Sequence, residues 1–193
     1  LLFSSDRTGG YGKLDLWYCA IRSDGSLGQP VNLGPTINTE DDERAPYYNP
    51  TTKKLMFSTD GRIGLGGLDF FESDGDLISW SEPKNMGYPF NSSKDDLYFT
   101  SANADDTKGY ISSDRESSCC LEVFEIKKEF FSINGILTDC KTKLPMADAT
   151  VTFTNAEGTQ KAITGSDGKY DFRADSKRPV KLSFSKENYF SIT

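Results

Sequence analysis

The sequence has 193 residues, which is enough for one large or two modest domains. Its 29 acidic and 22 basic residues give a net charge of −7, which argues against nucleic acid or anionic lipid as the main partner and is typical of a well-solvated surface. No apolar run is long enough to cross a membrane as a helix, so we expect no direct membrane span.

Histidine is absent from the sequence. Its absence excludes Ser-His-Asp and Cys-His catalysis, a histidine general base and histidine-ligated zinc within this chain. We therefore expect a protein that is not an enzyme and that has no catalytic residue, cofactor or metal.

The first elements are short strands joined by tight turns. Alternating apolar residues predict a strand over residues 1–5, and a turn at Asp6 and Arg7 follows it. A glycine-rich loop then leads to predicted strands over residues 15–21 and 28–33. Because the chain opens inside a strand without a basic segment or cleavage site, we expect an internal fragment whose targeting segment, if any, lies upstream.

This pattern returns twice. The leading aspartates Asp6, Asp60 and Asp114 are spaced 54 residues apart, and a fixed period of this size predicts stacked copies of one motif. The later copies add predicted strands over residues 45–48, 54–58, 68–72, 80–86, 97–101, 109–113 and 121–126.

Paired carboxylates recur in each copy and allow three interpretations. They could serve glycoside hydrolysis or bind calcium, but the same groups recur at the same place in every copy, which favours a structural role in the turns. An aspartate there accepts backbone N–H bonds, while glycine supplies positive φ. The predicted structural turn residues are Asp6, Arg7, Asp15, Asp60, Arg62, Asp69, Asp114 and Arg115.

The motifs Phe-Ser-Ser-Asp-Arg, Gly-Gly-x-Gly-x-Leu-Asp and Pro-Val-Asn-Leu-Gly resemble PD40/TolB-like, WD40-like β-propeller repeats. They are most similar to those of OmpA-family envelope proteins of Bacteroidetes. The resemblance covers residue 1 to about residue 128 and implies the C-terminal part of a propeller over residues 1–130, with about two and a half four-stranded blades. Propellers close with roughly four to eight blades, so upstream sequence is expected to supply the others.

In a propeller, the acidic stretch at Asp42, Glu43 and Arg44 would enter the innermost strand beside the central channel. A solvated acidic turn is the favoured interpretation, and a channel-side ligand site is the alternative. Aromatic residues at strand positions are interpreted as core between blades rather than as a carbohydrate platform. They are Trp17, Tyr18, Tyr47, Tyr48, Phe70, Phe71, Tyr98 and Phe99.

After about residue 130 the pattern changes to short strands spaced as in a small β-sandwich, with a hairpin turn at 155–158. The motifs Ile-x-Gly-x-Leu-x-Asp from Ile133, Pro-x-x-x-Ala-x-Val from Pro145 and Asp-Gly-x-Tyr-x-Phe from Asp167 resemble the carboxypeptidase regulatory-like (transthyretin-like) domain. The resemblance implies an all-β fold in which this sandwich occupies residues 131–193. Such domains are accessory modules without a peptidase site. Asn188 departs from the glycine that is usual there.

Two features concern the connection between the two regions. The cysteines Cys19, Cys119, Cys120 and Cys140 are either buried thiols, or Cys140 pairs with Cys119 or Cys120, as an oxidising envelope compartment would permit.

The segment 127–132 has no glycine or proline, so it does not have the composition of a flexible tether. A phenylalanine that stays in water loses the burial free energy of about 1.5–3 kcal/mol. We therefore expect Phe130 or Phe131 to pack at the domain junction.

A propeller followed by a regulatory-like sandwich resembles the middle of periplasmic, outer-membrane-associated lipoproteins of the OmpA family. The resemblance implies a non-catalytic scaffold of the type IX secretion system whose partners are other envelope or secretion-system proteins. Peptidoglycan would be contacted only through a downstream domain. The alternative is the accessory region of a carbohydrate-active or peptidase-type envelope enzyme, and the sequence that follows Thr193 would distinguish the two.

Overall fold

The computed structural model describes residues 1–155, 158–175 and 179–189. These residues contain no helix, and therefore none that could span a membrane; strands make up 48% of the structure. The strands form five antiparallel sheets, none of them closed, which confirms the predicted all-β class. The chain divides into two compact units, Leu1–Lys127 and Lys128–Thr193.

The first unit contains three sheets, one for each copy of the repeat, and the strand order in each sheet follows the chain. The first sheet has β1 (Leu2–Ser5), β2 (Asp15–Tyr18) and β3 (Val31–Asn32). The second sheet has β4 (Glu43–Asn49), β5 (Lys54–Thr59), β6 (Asp69–Asp74) and β7 (Lys84–Asn85). The third sheet has β8 (Asp96–Ser101), β9 (Lys108–Ser113) and β10 (Glu122–Lys127).

The pairing registers reproduce the sequence repeat. Ser5 pairs with Asp15 in the first sheet, and Thr59 pairs with Asp69 in the second. In the third sheet Ser113 pairs with Glu122, so Glu122 occupies the position of the two aspartates. Equivalent residues can therefore be compared between the copies.

The fourth strands, β3 and β7, are shorter than the sequence predicts. Each contains two residues, because the preceding Pro30 or Pro83 has no N–H to donate to a neighbouring strand. On the other side, Gly34 and Gly87 adopt positive φ angles of 85° and 61° and turn the chain away. The third sheet has no fourth strand among the described residues, so β10 forms its edge.

The first strands of the second and third sheets share a β-bulge. The register shifts between Arg44 and Tyr47 and between Leu97 and Thr100, with Tyr98 at a φ of 55°. A bulge re-aims the side chains beside it, and Tyr98 is 59% exposed. Its assignment to the core is therefore wrong, whereas the other predicted core aromatics are buried or half-buried.

Adjacent sheets of the first unit pack through two apolar clusters that repeat the same contact. The first cluster consists of Leu16, Leu33, Ile37, Leu55, Phe57 and Phe71. The second consists of Met56, Phe70, Phe90, Phe99, Ile111 and Ile126. Phe70 lies at the position of Leu16, and both are fully buried. Burial of a side chain of this size contributes about 1.5–3 kcal/mol.

The second unit contains two sheets. Their strands are β11 (Phe130–Ile136), β12 (Thr150–Asn155), β13 (Gly158–Ile163), β14 (Lys169–Asp175) and β15 (Lys181–Ser185). Strand β11 pairs with β14, and β12 lies between β13 and β15. The rings of Phe153 and Phe172 stack with centroids 5.4 Å apart in the core. The centre of the predicted hairpin turn at 155–158 and the predicted sandwich residues 176–178 and 190–193 lie outside the described residues.

Two equivalent glycines give a test of how closely the copies approach. A Cβ on Gly12 would overlap the carbonyl oxygen of Thr39, and a Cβ on Gly66 would overlap that of Lys94. Gly12→Ala or Gly66→Ala should lower the free energy of unfolding by about 1–3 kcal/mol, as expected for overpacking. Urea denaturation measures this change. In the control Gly28→Ala the new methyl group meets its nearest neighbour at 3.5 Å, so a similar loss there would contradict the close approach.

Candidate functional site

The predicted turn residues Asp15 and Asp69 hold the glycine loops closed. Asp15 begins β2 and Asp69 begins β6, and each side chain is 1% exposed. Asp15 Oδ2 accepts the N–H of Tyr11 at 2.6 Å, and Asp69 Oδ2 accepts that of Leu65 at 2.7 Å. The next N–H in each loop donates to the same carboxylate, at 3.0 and 2.9 Å. Both side chains are therefore acceptors for their own loops.

Asp60 and Asp114 contact the turn that enters the first strand of their own sheet. Asp60 Oδ1 accepts the N–H of Asp42, and Asp114 Oδ1 accepts the N–H of Asp95, both at 2.9 Å. Asp6 occupies the same position in the first sheet, where its side chain is exposed.

The entering turns extend this contact to the preceding copy. Asp42 Oδ1 accepts the N–H of Leu14 at 3.1 Å, and Asp95 Oδ1 accepts that of Leu68 at 3.0 Å. Aspartate side chains thus connect the second sheet to the first and the third sheet to the second.

The predicted arginines also bind the preceding copy. Arg62 donates to the carbonyl oxygen of Thr36 at 2.7 Å, and Arg115 donates to that of Phe90 at 2.7 Å. Thr36 and Phe90 belong to equivalent turns after the fourth strand. Arg7 instead lies over two aromatic rings of its own sheet, at 4.7 and 5.4 Å from their centroids.

Two buried asparagines complete the contact, and the sequence analysis gave them no role. Asn38 Oδ1 accepts the N–H of Leu16 at 2.8 Å, and its Nδ2 donates to the carbonyl of Leu16 at 3.1 Å. Asn91 binds both backbone groups of Phe70 in the same way, at 2.7 and 2.9 Å. Each amide also donates to the asparagine of the fourth strand, at 2.7 and 2.9 Å. The sequence could have indicated this role, because both asparagines recur at the same place in the two copies.

Glu43 differs from the solvated acidic turn favoured by the sequence, because its side chain is fully buried. It accepts hydroxyl hydrogen bonds from Thr39 at 2.6 Å and Thr59 at 2.9 Å. Burial raises the pKa of Glu43 above its ordinary value, and the hydrogen bonds from Thr39 and Thr59 oppose that shift. At the equivalent position Asp96 is also buried, but it forms an ion pair with Arg115 at 2.5 Å.

The neighbours of Glu43 remain closer to solvent. Arg44 pairs with Asp42 at 2.7 Å, with side chains 43% and 15% exposed. The channel-side position of these residues stays a prediction.

The chemistry of this network is that of hydrogen-bond acceptors. The buried carboxylates of these contacts, Asp15, Glu43, Asp69 and Asp96, each accept at least two hydrogen bonds from nearby donors. Over the described part of the chain, no three acidic or cysteine side chains converge as a metal site requires. We call the buried carboxylates, the two asparagines and the contacts of Asp42, Asp60, Asp95 and Asp114 the repeat network.

A second polar contact lies at the opposite ends of the strands and was also missed. Asp106 accepts the hydroxyl of Tyr47 at 3.0 Å and the amide of Asn49 at 2.7 Å. It thereby joins β4 to the turn between β8 and β9. Burial, and then the hydrogen bond to Asp106, raise the pKa of Tyr47 above its ordinary value.

A shallow cavity of about 440 Å³ lies between two turns of the second sheet. Its lining includes Lys53, Asp74, Asp76, Ser79 and Trp80. None of the predicted site residues lines it, so the cavity is separate from the repeat network.

Cys19 is a buried thiol, as one of the predicted arrangements has it, whereas Cys119, Cys120 and Cys140 differ from both arrangements. Cys119 is bonded to Cys120, Cys140 is a free and exposed thiol, and Cys19 is free and buried. The predicted bond from Cys140 to Cys119 or Cys120 is therefore not formed in this structure. The hydroxyl of Ser117 accepts the N–H of Cys119 at 3.2 Å and that of Cys120 at 3.1 Å, which folds the loop so that the adjacent thiols meet.

The two phenylalanines predicted at the domain junction open β11. Phe130 lies under the guanidinium of Arg173, 3.7 Å from the ring centroid. Phe131 is 56% exposed. Their role at the junction stays a prediction.

No protein-family model matches the chain, and no curated protein matches it.

The asparagines give a direct test of the repeat network. Asn91→Ala would leave the buried N–H of Phe70 unpaired and would remove one of the two donors to its carbonyl oxygen, the other being the N–H of Met86. We therefore expect a loss of about 2–4 kcal/mol in the free energy of unfolding. Asn85→Ala removes an exposed partner in the same segment and should cost about 1 kcal/mol. Chemical denaturation of both variants measures the difference. Equal losses would show that Asn91 does not carry the contact.

Glu43 gives a prediction for how stability depends on pH. Because the pKa of Glu43 is raised in the folded state, its contribution to stability is full below its unfolded pKa and is lost as the pH rises through the folded pKa. Glu43→Gln should therefore keep or increase the free energy of unfolding at neutral pH. It should also flatten the gain in stability that the parent chain shows as the pH falls from neutral toward the ordinary pKa of a glutamate, about 4.3. The measurement is chemical denaturation across this range.

Asp96→Asn is the matched variant for the pH experiment. It breaks a buried ion pair and should lower stability by about 3 kcal/mol at neutral pH. A Glu43→Gln loss as large as that of Asp96→Asn would contradict the assignment of Glu43 as a buried charge without a cation.

Proposed function

We propose that the chain is a non-catalytic scaffold and protein-interaction module of a bacterial envelope protein. The observation that carries the proposal is that the same carboxylates recur in successive sheets and accept hydrogen bonds from nearby backbone and side-chain donors. A catalytic site needs carboxylates that are available to substrate and is normally built once. Carboxylates occupied in this way suit an architecture that holds sheets together.

The finer fold belongs to this proposal. The first unit is proposed to be part of a β-propeller, with each sheet acting as a blade. One support is the face-to-face packing of adjacent sheets, which repeats from the first pair of sheets to the second. The other is an exposed tyrosine on the third sheet. Its Tyr110 is 40% exposed at the position of Met56, which is 3% exposed against the next sheet. A further sheet would cover Tyr110, as a closed propeller requires.

The second unit is proposed to be a transthyretin-like sandwich of the carboxypeptidase regulatory-like type. Its support is the resemblance of the motifs together with two small sheets that share Val151, Phe153, Phe172 and Ala174 as a core. Domains of this type act as accessory modules, which agrees with a scaffold.

The proposed setting is the periplasm, in an OmpA-family protein associated with the outer membrane and with type IX secretion. The support is the resemblance of the two regions in this order. The partners are other envelope or secretion-system proteins, and contact with peptidoglycan is made by another part of the polypeptide.

Fractionation and assay together test this function. In the source cells, the polypeptide that carries these residues should fractionate with the periplasmic side of the outer membrane. The purified chain should show no turnover of glycoside, ester or peptide substrates, because its buried carboxylates are already hydrogen-bonded. Turnover lost in Asp69→Asn would favour the alternative, an envelope enzyme, and a cytoplasmic location would also overturn the proposal.

A further inference from the structure

A disulfide bond joins two neighbours in the chain, in the loop between β9 and β10. Both of its residues, Cys119 and Cys120, are exposed, whereas the free thiol of Cys19 is buried. A disulfide stabilises a fold mainly by closing a loop of the unfolded chain, and its effect grows with the length of that loop. A bond between adjacent residues closes the smallest loop, so it adds little to the stability of the fold.

This loop is the third copy of the two glycine loops. In the first two copies, the fifth and sixth residues after the leading aspartate donate their N–H groups to the carboxylate of Asp15 or Asp69. In the third copy these two residues are Cys119 and Cys120, and both donate to the hydroxyl oxygen of Ser117. A hydroxyl and a disulfide therefore hold the third loop where a carboxylate holds the other two.

The surroundings of the bond distinguish its two sulfur atoms. Ser117 Oγ lies 3.7 Å from Cys119 Sγ, within hydrogen-bond distance of sulfur. Because Oγ accepts two N–H groups, its own hydrogen is left for the sulfur. Such a donor stabilises a thiolate on Cys119, and a disulfide is cleaved faster when the departing sulfur is the better leaving group. An incoming thiolate is therefore directed to Cys120 Sγ.

We propose that the bond between Cys119 and Cys120 is a thiol–disulfide exchange site whose substrate is a dithiol. One thiolate of the dithiol attacks Cys120 Sγ, the bond between the two cysteines breaks, and Cys119 leaves as a thiolate that takes up a proton. The second thiol of the substrate then attacks the mixed disulfide and releases Cys120 as a thiol. The substrate becomes a disulfide, and two electrons and two protons pass to the chain.

The adjacency of the cysteines selects a dithiol over a single thiol. After attack by a single thiol, Cys119 lies one residue from the mixed disulfide on Cys120 and expels the adduct again, because an intramolecular thiol acts at a high effective concentration. A dithiol carries its own second thiol, which competes with Cys119 and completes the reduction.

Reduction changes the loop while the third sheet stays folded, because β9 and β10 pair along the whole of β10 without help from the bond. Exposed disulfides of this kind are the labile and regulatory ones, whereas structural bonds resist reduction. This inference rests on the loop and not on the proposed envelope function, so either can fail without the other.

Alkylation and mass spectrometry of the whole chain test the site. The chain carries Cys140→Ser, which removes the exposed free thiol of the second unit. Denatured and alkylated without reductant, it should show an alkyl group on Cys19 and a bond between Cys119 and Cys120. Native protein treated with dithiothreitol should gain two thiols, and oxidised dithiothreitol should restore the bond. Free Cys119 and Cys120 at the start, or resistance to dithiothreitol until the protein is denatured, would overturn the proposal.

The site of attack is read with a single thiol. Native protein is mixed with reduced glutathione in the presence of iodoacetamide, which captures the departing thiolate. We expect glutathione on Cys120 and the alkyl group on Cys119. An equal or reversed distribution would contradict the assigned direction of attack.

The matched variants Ser117→Ala and Ser118→Ala separate chemistry from loop structure. Ser117→Ala should slow reduction by dithiothreitol by about tenfold, because the leaving thiolate loses its donor, whereas Ser118→Ala should leave the rate unchanged. A serine that only held the loop would have the opposite effect, since its loss would expose the bond and speed reduction. An unchanged or faster rate in Ser117→Ala would therefore overturn the role of Ser117.

Stability measurements separate an exchange site from a structural disulfide. Reduction should leave the urea midpoint of the chain nearly unchanged, while hydrogen exchange at the amides of Cys119 and Cys120 should rise by about tenfold or more. The amide of Ile111 in β9, a control in the same sheet, should exchange at the same rate in both states. A large fall in the urea midpoint on reduction would show a structural bond and overturn the proposal.

Discussion

The interaction on which the first unit depends is the pairing of a side-chain amide with the backbone of one residue in a buried strand. Asn38 binds both backbone groups of Leu16, and Asn91 binds both backbone groups of Phe70. The segment of the fourth strand satisfies part of this edge, since Leu33 and Met86 donate to the carbonyl oxygens of Leu16 and Phe70, but the N–H groups of Leu16 and Phe70 donate to the asparagines. Because an unpaired backbone group costs about 1–3 kcal/mol when buried, the edge needs another partner. The asparagine supplies it, and its position fixes where the chain enters the next sheet.

The carboxylates show two solutions to the same burial problem. Asp96 is buried with a cation, Arg115, while Glu43 is buried with two threonine hydroxyls and a backbone N–H. The difference follows from the sequence, because Gly61 stands between Asp60 and Arg62, whereas Arg115 directly follows Asp114. Both arginines bind the equivalent turn of the preceding copy, but Arg62 pairs with Glu82 where Arg115 pairs with Asp96. Among the described residues, Glu43 therefore has no cation as a partner.

The parts of this structure that the sequence predicted well are those that repeat. The recurrence of Asp6, Asp60 and Asp114 located the sheets and their turns, because tight turns have strong local chemistry. The sequence did not predict the roles of Asn38 and Glu43, because these depend on contacts between residues far apart in the chain. Tyr98 is exposed beside a bulge, and Cys119 and Cys120 are bonded in a loop where the hydroxyl of Ser117 accepts both of their N–H groups. Neither leaves a periodic signal.

Hydrogen exchange of the native chain reports directly on the backbone N–H groups that Asn38 and Asn91 bind. The amides of Leu16 and Phe70 should exchange only with global unfolding of the first unit, because each donates to a buried asparagine. Val123 of the edge strand β10 occupies the same register, since it pairs with Ser112 as Leu16 pairs with Ser4 and Phe70 with Ser58. Its amide should exchange faster by orders of magnitude. Equal protection at the three positions, or fast exchange at Leu16 and Phe70, would show that the asparagines do not protect these backbone groups.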